Sequence, residues 1–157
     1  MFRQNIPEIK DYSLGGSCVY GTDACAIESV FAIDEQERPI NFSVDMVKYL
    51  VNRMLTMSAI DKEFLIQGVN GWEKCFYIAG LSVKCRYEKD PTYQCLDNER
   101  EVLKLVKRKN WHLDNPPAHF VPGNGCGYYS WDSLGRRPAQ KEYAVYAKRI
   151  FTIKGIV

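Results

Sequence analysis

The sequence predicts an α+β domain in which N-terminal helices pack on a C-terminal antiparallel sheet. Three observations predict this class. Apolar residues recur at helical spacing between residues 22 and 55, a glycine-rich connection at 122–127 separates two aromatic-rich runs, and Lys141 to Lys154 alternates as an extended segment. The helical runs come first and the extended runs second, which is the order of an α+β domain. At 157 residues, the chain suits one domain, spanning 1–157.

Composition narrows the classes of partner. The chain is 46% hydrophobic and 13% aromatic, which predicts an ordered protein, and its net charge of +2 gives no electrostatic reason to expect nucleic acid or a membrane. The first ten residues contain no apolar stretch typical of a secretory signal, and the longest apolar-rich run, Cys75 to Val83, is too short to span a bilayer. We therefore expect a soluble, cytoplasmic protein whose six cysteines are mostly reduced.

The first predicted helix follows a glycine- and serine-rich loop, Asp11 to Gly21. Thr22 or Asp23 is the expected N-cap, and Ala26 to Phe31 carries an apolar face. Cys25 then lies in the first turn, where unpaired backbone N–H groups and the helix dipole stabilise a thiolate by about 0.3 to 1 kcal/mol, and by up to about 2 when partly buried. That gain alone is small, so full activation requires a partner imidazolium.

Two alternatives to a Cys25 nucleophile stay open. A free cysteine is most often a small buried apolar residue. Cys18, in a Gly-Gly-Ser-Cys loop, is the rival nucleophile, although it lacks the helix.

Three further features are predicted in the middle of the chain. Ser43 is the expected cap of a core helix with Val44, Val47, Val51, Met54 and Leu55 on one side. Ser58 to Asp61 has the form of a capping box and predicts a short helix. Asn70-Gly71 predicts a turn.

Between residues 72 and 109, the sequence predicts two elements clearly and leaves a third ambiguous. Trp72 to Ile78 fits either helix or strand, and Gly80 ends it. Leu81 to Tyr87 alternates as a strand. Asn98 to Lys109 is predicted as an amphipathic helix, with acids early and bases late, as the helix dipole prefers. Its terminal basic cluster therefore has a structural explanation, with an acidic or nucleic-acid partner as the less favoured alternative.

The strongest turn signal lies between Ala118 to Val121 and Tyr128 to Trp131. The connection Pro-Gly-Asn-Gly-Cys-Gly supplies residues that tolerate positive φ, so the two runs predict a β-hairpin. We expect Lys141 to Lys154 to pair with this hairpin.

His119 and Asp132 lie on the two arms of the hairpin, thirteen positions apart. A turn centred on Gly125-Cys126 places them directly cross-strand, with Cβ atoms roughly 5 Å apart. A turn centred on Asn124-Gly125 leaves them on one face as diagonal neighbours, and a single-residue turn separates them onto opposite faces. Two of these three registers thus form a His–carboxylate pair, in which the acid orients the imidazole.

The alternative is structural for both residues. Asp132 would open an Asx turn through Asp-Ser-Leu-Gly, and His119 would be a satisfied strand residue.

The cysteine spacing does not favour a metal site. Cys75, Cys85 and Cys95 fall ten residues apart, with His112 beyond them, but none belongs to a C-x-x-C pair. Structural zinc sites usually contain such short spacings, so we expect no metal and no cofactor.

Several motifs together resemble known families. A cysteine at the start of an N-terminal helix, ACAIES, a later HFVPGNG strand and turn, and the aromatic-aspartate segment WDSLGRRP resemble the papain-like cysteine peptidases, especially the branch that includes the double-glycine leader peptidases. With IPEIKDY and NEREVLKL added, the chain also resembles a small uncharacterised family of spirochaete plasmid and phage proteins. This likeness covers most of the chain, and its motifs are most specific in the last 40 residues.

The resemblance implies a papain-like fold with Cys25 as nucleophile, His119 as base and Asp132 as orienting acid. The peptidase pattern also places a glutamine shortly before the cysteine to complete the oxyanion hole, whereas the nearest upstream glutamine here is Gln4. Losing one such donor typically costs about 10² to 10³ in rate.

That departure leaves two functional classes. In the first, Ser17, Thr22 or a backbone N–H replaces the glutamine, and the protein is a thiol hydrolase that cleaves an amide bond in a peptide or a peptidoglycan crosslink. In the second, catalysis has been lost and the papain-like fold serves as a binding or regulatory module. We favour the hydrolase.

Overall fold

A computed structural model describes residues 3–127 and 142–157. Within them, helices precede strands, which confirms the predicted α+β class and the order of its parts. The helices are α1 (Tyr20–Asp23), α2 (Cys25–Glu37), α3 (Val44–Thr56) and α4 (Gly68–Ala79), and the strands are β1 (Leu81–Glu88), β2 (Glu99–Lys107), β3 (Ala118–Pro122) and β4 (Tyr143–Ile156). A short 3₁₀ turn, Arg108–Asn110, follows β2.

The strands form an antiparallel sheet in the order β1-β4-β2-β3. β3 is the predicted first strand of the hairpin, while the second run, 128–131, and Asp132 lie outside the described residues. The expectation that the last segment pairs with the hairpin is wrong for β3. In the described sheet, β4 pairs with β1 and β2, and β3 pairs with β2 alone. β2 separates them because its apolar side chains cover both faces and favour an interior position.

The same property overturns the predicted helix at Asn98 to Lys109. This stretch is β2, in which Val102, Leu103 and Val106 are fully buried. Consecutive buried positions such as 102 and 103 arise when both faces of a strand are covered, and they hide the alternation that would have identified it.

Two other local predictions are wrong. Asn70-Gly71 lies inside α4 rather than in a turn, and a Cβ at Gly71 would lie 2.8 Å from the Ala59 carbonyl oxygen, so close packing explains this glycine. Ser58 to Asp61 forms no helix. Ser58 has φ 59°, and the Asp61 carboxylate accepts the backbone N–H groups of residues 63 and 65 at 2.8 and 3.0 Å, so the acid closes a loop instead.

The remaining helix ends follow local chemistry. The Ser43 hydroxyl accepts the Met46 N–H at 3.2 Å, which confirms the predicted cap of α3. The undecided stretch 72–78 is helical, and Gly80, at φ 140°, ends α4 as predicted. The N-cap of α2 is Ala24, not Thr22 or Asp23, because those two residues belong to the turn of α1.

The main core lies between α2, α3, α4 and one face of the sheet. Phe76 of α4 packs on Phe151 of β4 with ring centroids 4.6 Å apart, and Trp72 lies 5.4 Å from the same ring. The predicted face of α3 is buried here through Val47, Val51 and Met54. β1, predicted at 81–87, contributes alternate residues to this core. We call this side the helix face of the sheet.

The opposite face carries a smaller cluster of Leu103, Leu105 and Val121. The segment between β1 and β2 contacts this far face, where the Cys95 N–H donates to the Gly125 carbonyl at 2.9 Å. In the described part of the chain, no helix is long and apolar enough to cross a bilayer.

Candidate active site

Cys25 is the first residue of α2, as predicted, and its side chain lies where that helix meets β3. Its Sγ accepts a hydrogen bond from the backbone N–H of Phe120 at 3.5 Å. The residue is 9% exposed, so the sulfur is screened from bulk solvent while it still borders a cavity. The start of a helix and a strand N–H therefore both present positive charge to this sulfur.

His119 directly precedes the residue that binds the sulfur. It is half-buried in β3, with its Cα opposite Leu105 of β2. Ala118 and Phe120 line the cavity, so strand alternation places the His119 side chain on the opposite face of β3, the face of Leu105 and Val121. β3 thus brings the backbone of His119 beside Cys25. Asp132, the predicted third member, lies outside the described residues.

A cavity of about 620 Å³ opens beside Cys25. The start of α2 and the loop 61–67 form its helical wall, and β1, β2, β3 and β4 form its sheet wall. The helical wall supplies carboxylates, the sheet wall supplies two cations, and aromatic rings lie between them. These residues are Asp23, Asp61 and Glu63, then Lys104 and Arg149, then Phe64, Trp72, Tyr87 and Phe120.

The sheet wall carries positive charge that has no acidic partner among the described residues. The Arg149 guanidinium stacks on the Tyr87 ring, 3.7 Å from its centroid, and lies 5.6 Å from that of Phe120. Its buried Nε has no hydrogen-bond partner, and burial lowers the pKa of Arg149. Burial and then the Arg149 charge lower the pKa of Lys104. Among residues 3–127 and 142–157, no acid forms an ion pair with either cation.

On the helical wall, Glu63 holds the loop that carries Cys18. Its carboxylate accepts the backbone N–H groups of Ser17 and Cys18 at 2.8 and 2.9 Å and the Ser17 hydroxyl at 2.9 Å. A hydrogen bond with the Cys18 thiol, together with these contacts, lowers the pKa of Glu63 to about 2, and the same hydrogen bond contributes most to raising the pKa of Cys18 to about 12. Cys18, the rival nucleophile, is therefore a neutral thiol near pH 7.

The other cysteines are free thiols in different settings. Burial raises the pKa of Cys75, Cys85 and Cys95 to about 12, with nearby Glu101 adding to the effect at Cys95. Cys126 is exposed. No group of three His, Cys, Asp or Glu side chains suited to a metal ion occurs in the described ranges.

The oxyanion-hole candidates divide into occupied and accessible donors. The buried Gln4 amide donates to the backbone carbonyls of Tyr20 and Gly21 at 3.3 Å, so this glutamine holds the chain just before α2. The Ser17 hydroxyl is engaged by Glu63. Thr22 is exposed and lines the cavity. Thr22, which shares the cavity with Cys25, and the first-turn N–H groups of α2 therefore remain as the oxyanion-hole candidates.

Sequence reasoning missed the two cavity cations. The sequence predicts a helix over the segment that contains Lys104, and the alternation around Arg149 does not indicate that this residue lines a cavity. One signal could have found Lys104. If 99–107 is taken as a strand, Val102, Lys104 and Val106 share one face, and a lone lysine in an apolar row is unusual without a role.

The fold and site together define an α+β protein with a helix-start cysteine, a histidine strand beside it and a charged cleft. No protein-family model, curated protein or solved structure matches the chain. A functional assignment therefore depends on the site's own chemistry.

Proposed function

We propose that the protein is a cysteine hydrolase that cleaves an amide bond, with Cys25 as nucleophile, His119 as general base and acid, and Asp132 as the acid that orients the imidazole. One observation carries the proposal. The Cys25 sulfur lies at the start of α2, at the wall of a cavity, and is bound by the N–H of the residue that follows His119.

The reaction follows the chemistry of activated thiols. This assignment requires the His119 ring to reach the sulfur past β3, the edge strand of the described sheet. His119 takes the thiol proton, and the Cys25 sulfur attacks the carbonyl carbon of the amide to form a tetrahedral adduct. The C–N bond then breaks as His119 returns the proton to the leaving amine, leaving a thioester on Cys25. Water, deprotonated by His119, attacks the thioester, releases the carboxylic acid and restores the thiol.

Three local features support this role. The Phe120 N–H binds the Cys25 sulfur, and Cys25 is the first residue of α2, next to the unpaired backbone N–H groups of that helix. The cavity, at about 620 Å³, lies within the usual range for ligand sites. Thr22 or the N–H groups of the first helical turn would bind the oxyanion in place of the missing glutamine. A peptide or a peptidoglycan crosslink is the proposed substrate.

The second candidate function is a papain-like binding or regulatory module without turnover. One observation favours it. Gln4, the nearest upstream glutamine, uses its amide to hold backbone carbonyls instead of facing the sulfur. In this case the cavity binds a ligand and Cys25 serves only as a packed residue.

A substitution series separates the two functions. The parent protein, Cys25→Ala and the matched control Cys18→Ala would be incubated with a pool of peptides and a pool of muropeptides. In a hydrolase, Cys25→Ala abolishes cleavage while Tm stays near that of the parent, because alanine is a good helix former. Cys18→Ala retains cleavage.

Asp132→Asn supplies an independent test of the orienting acid. The change preserves shape but permits the wrong imidazole tautomer, so kcat falls by up to about 10⁴-fold with little change in Tm. Cleavage that survives both Cys25→Ala and Asp132→Asn would overturn the mechanism. Absence of any cleavage, together with ligand binding that tolerates Cys25→Ala, would establish the binding module instead.

A further inference from the structure

The two cations of the sheet wall occupy a fixed position relative to each other. In the β2–β4 register, Val102 lies opposite Arg149 and Lys104 lies opposite Ala147. Lys104 and Arg149 are therefore diagonal neighbours on the helix face, which corresponds to roughly 7 to 8 Å between their Cα atoms. Both side chains line the cavity that contains Cys25.

This arrangement is costly unless an anion enters the cavity. Two like charges at short range in a partly buried site repel, and each loses solvation. Burial lowers the pKa of both groups, and the Arg149 charge also lowers that of Lys104. The Arg149 Nε is buried without a hydrogen-bond acceptor.

Two of the three acids across the cavity, Glu63 and Asp61, have other hydrogen-bond partners. Glu63 accepts hydrogen bonds from Ser17 and Cys18. Asp61 closes its own loop through the N–H groups of residues 63 and 65. None of the ion pairs found among the described residues involves Lys104 or Arg149. The cavity therefore has a positive wall with hydrogen-bonding capacity left over.

We propose that Lys104 and Arg149 form a subsite for a carboxylate of the substrate. A guanidinium supplies a planar set of donors matched to a carboxylate, and an ammonium adds a mobile second charge. The Tyr87 and Phe120 rings hold the guanidinium in place. This inference rests on the proposed hydrolase function and names its substrate class, an amide with a carboxylate close to the bond that is cleaved.

Phe120 sets the distance between this subsite and the nucleophile. Its backbone N–H binds the Cys25 sulfur at 3.5 Å, and its ring centroid lies 5.6 Å from the Arg149 guanidinium. Lys104 lies opposite Phe120 in the sheet. A carboxylate held here belongs to the residue at the scissile bond or to its neighbour. Its source is either an acidic side chain or a free α-carboxylate.

The first test compares iodoacetate with iodoacetamide, which differ by one negative charge. Mass spectrometry of the full chain after labelling gives the rate ratio of the two reagents at each cysteine. We expect the ratio at Cys25 to exceed that at exposed Cys126. It should fall about 3- to 10-fold in Lys104→Gln and in Arg149→Gln. The ratio at Cys126 should not change.

Lys84→Gln is the matched control, since this β1 lysine has a 74% exposed side chain and contacts Glu73 outside the cavity. It should leave the ratio at Cys25 as in the parent. If Arg149→Gln unfolds, the half-buried Lys104 variant still decides the outcome. An unchanged ratio in Lys104→Gln would overturn the subsite.

The second test uses synthetic peptides whose binding is measured by calorimetry on Cys25→Ala, so that turnover does not interfere. A glutamate peptide is compared with its glutamine counterpart, and a free C-terminal acid with its amide. We expect about tenfold tighter binding for one acidic member, which identifies the source of the carboxylate. Equal affinities within both pairs would overturn the subsite.

The two proposals fail in distinguishable ways. If the charge preference at Cys25 depends on Lys104 but no amide is ever cleaved, the carboxylate subsite stands and the hydrolase falls. If amides are cleaved with no preference for an acid and no response to Lys104→Gln, the hydrolase stands and the subsite is wrong.

Discussion

Buried positive charge has an acidic partner on one face of the sheet and has none among the described residues on the other. Two adjacent residues of β4 show the difference. On the far face, the Lys148 ammonium lies 3.1 Å from a Glu101 carboxylate oxygen and 2.5 Å from the Tyr93 carbonyl oxygen, with both charged side chains fully buried. On the helix face, Arg149 packs on aromatic rings, has no acidic partner among the described residues and keeps an unbonded Nε.

The far-face pair is satisfied by several donors at once. Besides Lys148, Glu101 receives the Gly127 N–H at 3.1 Å and the Cys95 thiol at 3.6 Å. A Cβ at Gly123 would lie 2.1 Å from a Glu101 oxygen, so the chain needs a glycine there to approach the carboxylate. On the far face, the buried lysine has a buried carboxylate as its partner. On the helix face, which borders the cavity, neither cation has an acidic partner among the described residues. In this molecule, the lack of an acidic partner, and not burial of charge as such, is what points to the proposed carboxylate subsite.

The largest expected change in stability comes from a substitution on the far face. Lys148→Met leaves the Glu101 carboxylate buried without its cation, so we expect the free energy of unfolding to fall by about 3 to 5 kcal/mol. Denaturant unfolding measures it. Adding Glu101→Leu should recover part of the loss, because removing both charges leaves neither unpaired. A loss below about 1 kcal/mol would show that Lys148 does not compensate the buried charge of Glu101.

Glu28 in α2 shows a third way to avoid an unpaired buried charge, because the folded protein favours its neutral, protonated carboxyl group. Burial raises the pKa of Glu28 to about 8, and the Tyr20 hydroxyl donates to one of its oxygens. Because the folded-state pKa exceeds the ordinary 4.5, stability is full below about pH 4.5 and falls as pH rises toward 8. A pKa difference of about 3.5 corresponds to a loss on the order of 5 kcal/mol.

Thermal unfolding between pH 5 and pH 9 tests this. Glu28→Gln should flatten the pH dependence of Tm, and the exposed Glu8→Gln should leave it unchanged. An equally steep decline in both variants would assign it to other groups.

The sequence predicts those features of the fold that depend on residues close together in the chain. The Ser43 cap, the helix start at Cys25 and the strand at 81–87 follow from neighbouring residues, and all three are confirmed. The sequence of β2 predicts a helix instead of a strand, because its acids come early and its bases late and because burial on both faces hides its alternation.

The candidate site divides in the same way. The position of Cys25 was predictable from its helix, whereas the meeting of Lys104 with Arg149 depends on the pairing register of β2 with β4. No local pattern sets the register between strands so far apart in sequence, so the sequence does not predict the charged wall of the cavity.

A smaller effect concerns the acidic wall. The Glu63 carboxylate raises the pKa of Cys18 to about 12, so Glu63→Gln should lower that pKa and increase the thiolate fraction at neutral pH. We expect iodoacetamide to label Cys18 about tenfold faster in this variant. Mass spectrometry of the labelled peptides measures it.

In the parent protein, the proposed nucleophile Cys25 should label faster than Cys18, whose pKa is raised to about 12, and faster than exposed Cys126. If Cys126 labels as fast as Cys25, the thiol of Cys25 is not activated.

The smallest expected effect is the most direct test of the comparison, because it repeats the lysine-to-methionine change on the cavity face. Lys104→Met removes a partly buried charge that has no acidic partner among the described residues and that lies beside Arg149. Its removal relieves repulsion and desolvation, so stability at pH 7 should stay constant or rise by up to about 1 kcal/mol. The pKa of Lys104 is lowered from 10.5 in the folded protein. The parent should therefore gain stability as pH rises from the folded-state pKa toward 10.5, and this gain should disappear in the variant. Denaturant unfolding at pH 7 and pH 10 measures both quantities beside Lys148→Met. A loss at Lys104 as large as that at Lys148 would mean that the cavity cation is also compensated, and the contrast between the two faces would not hold.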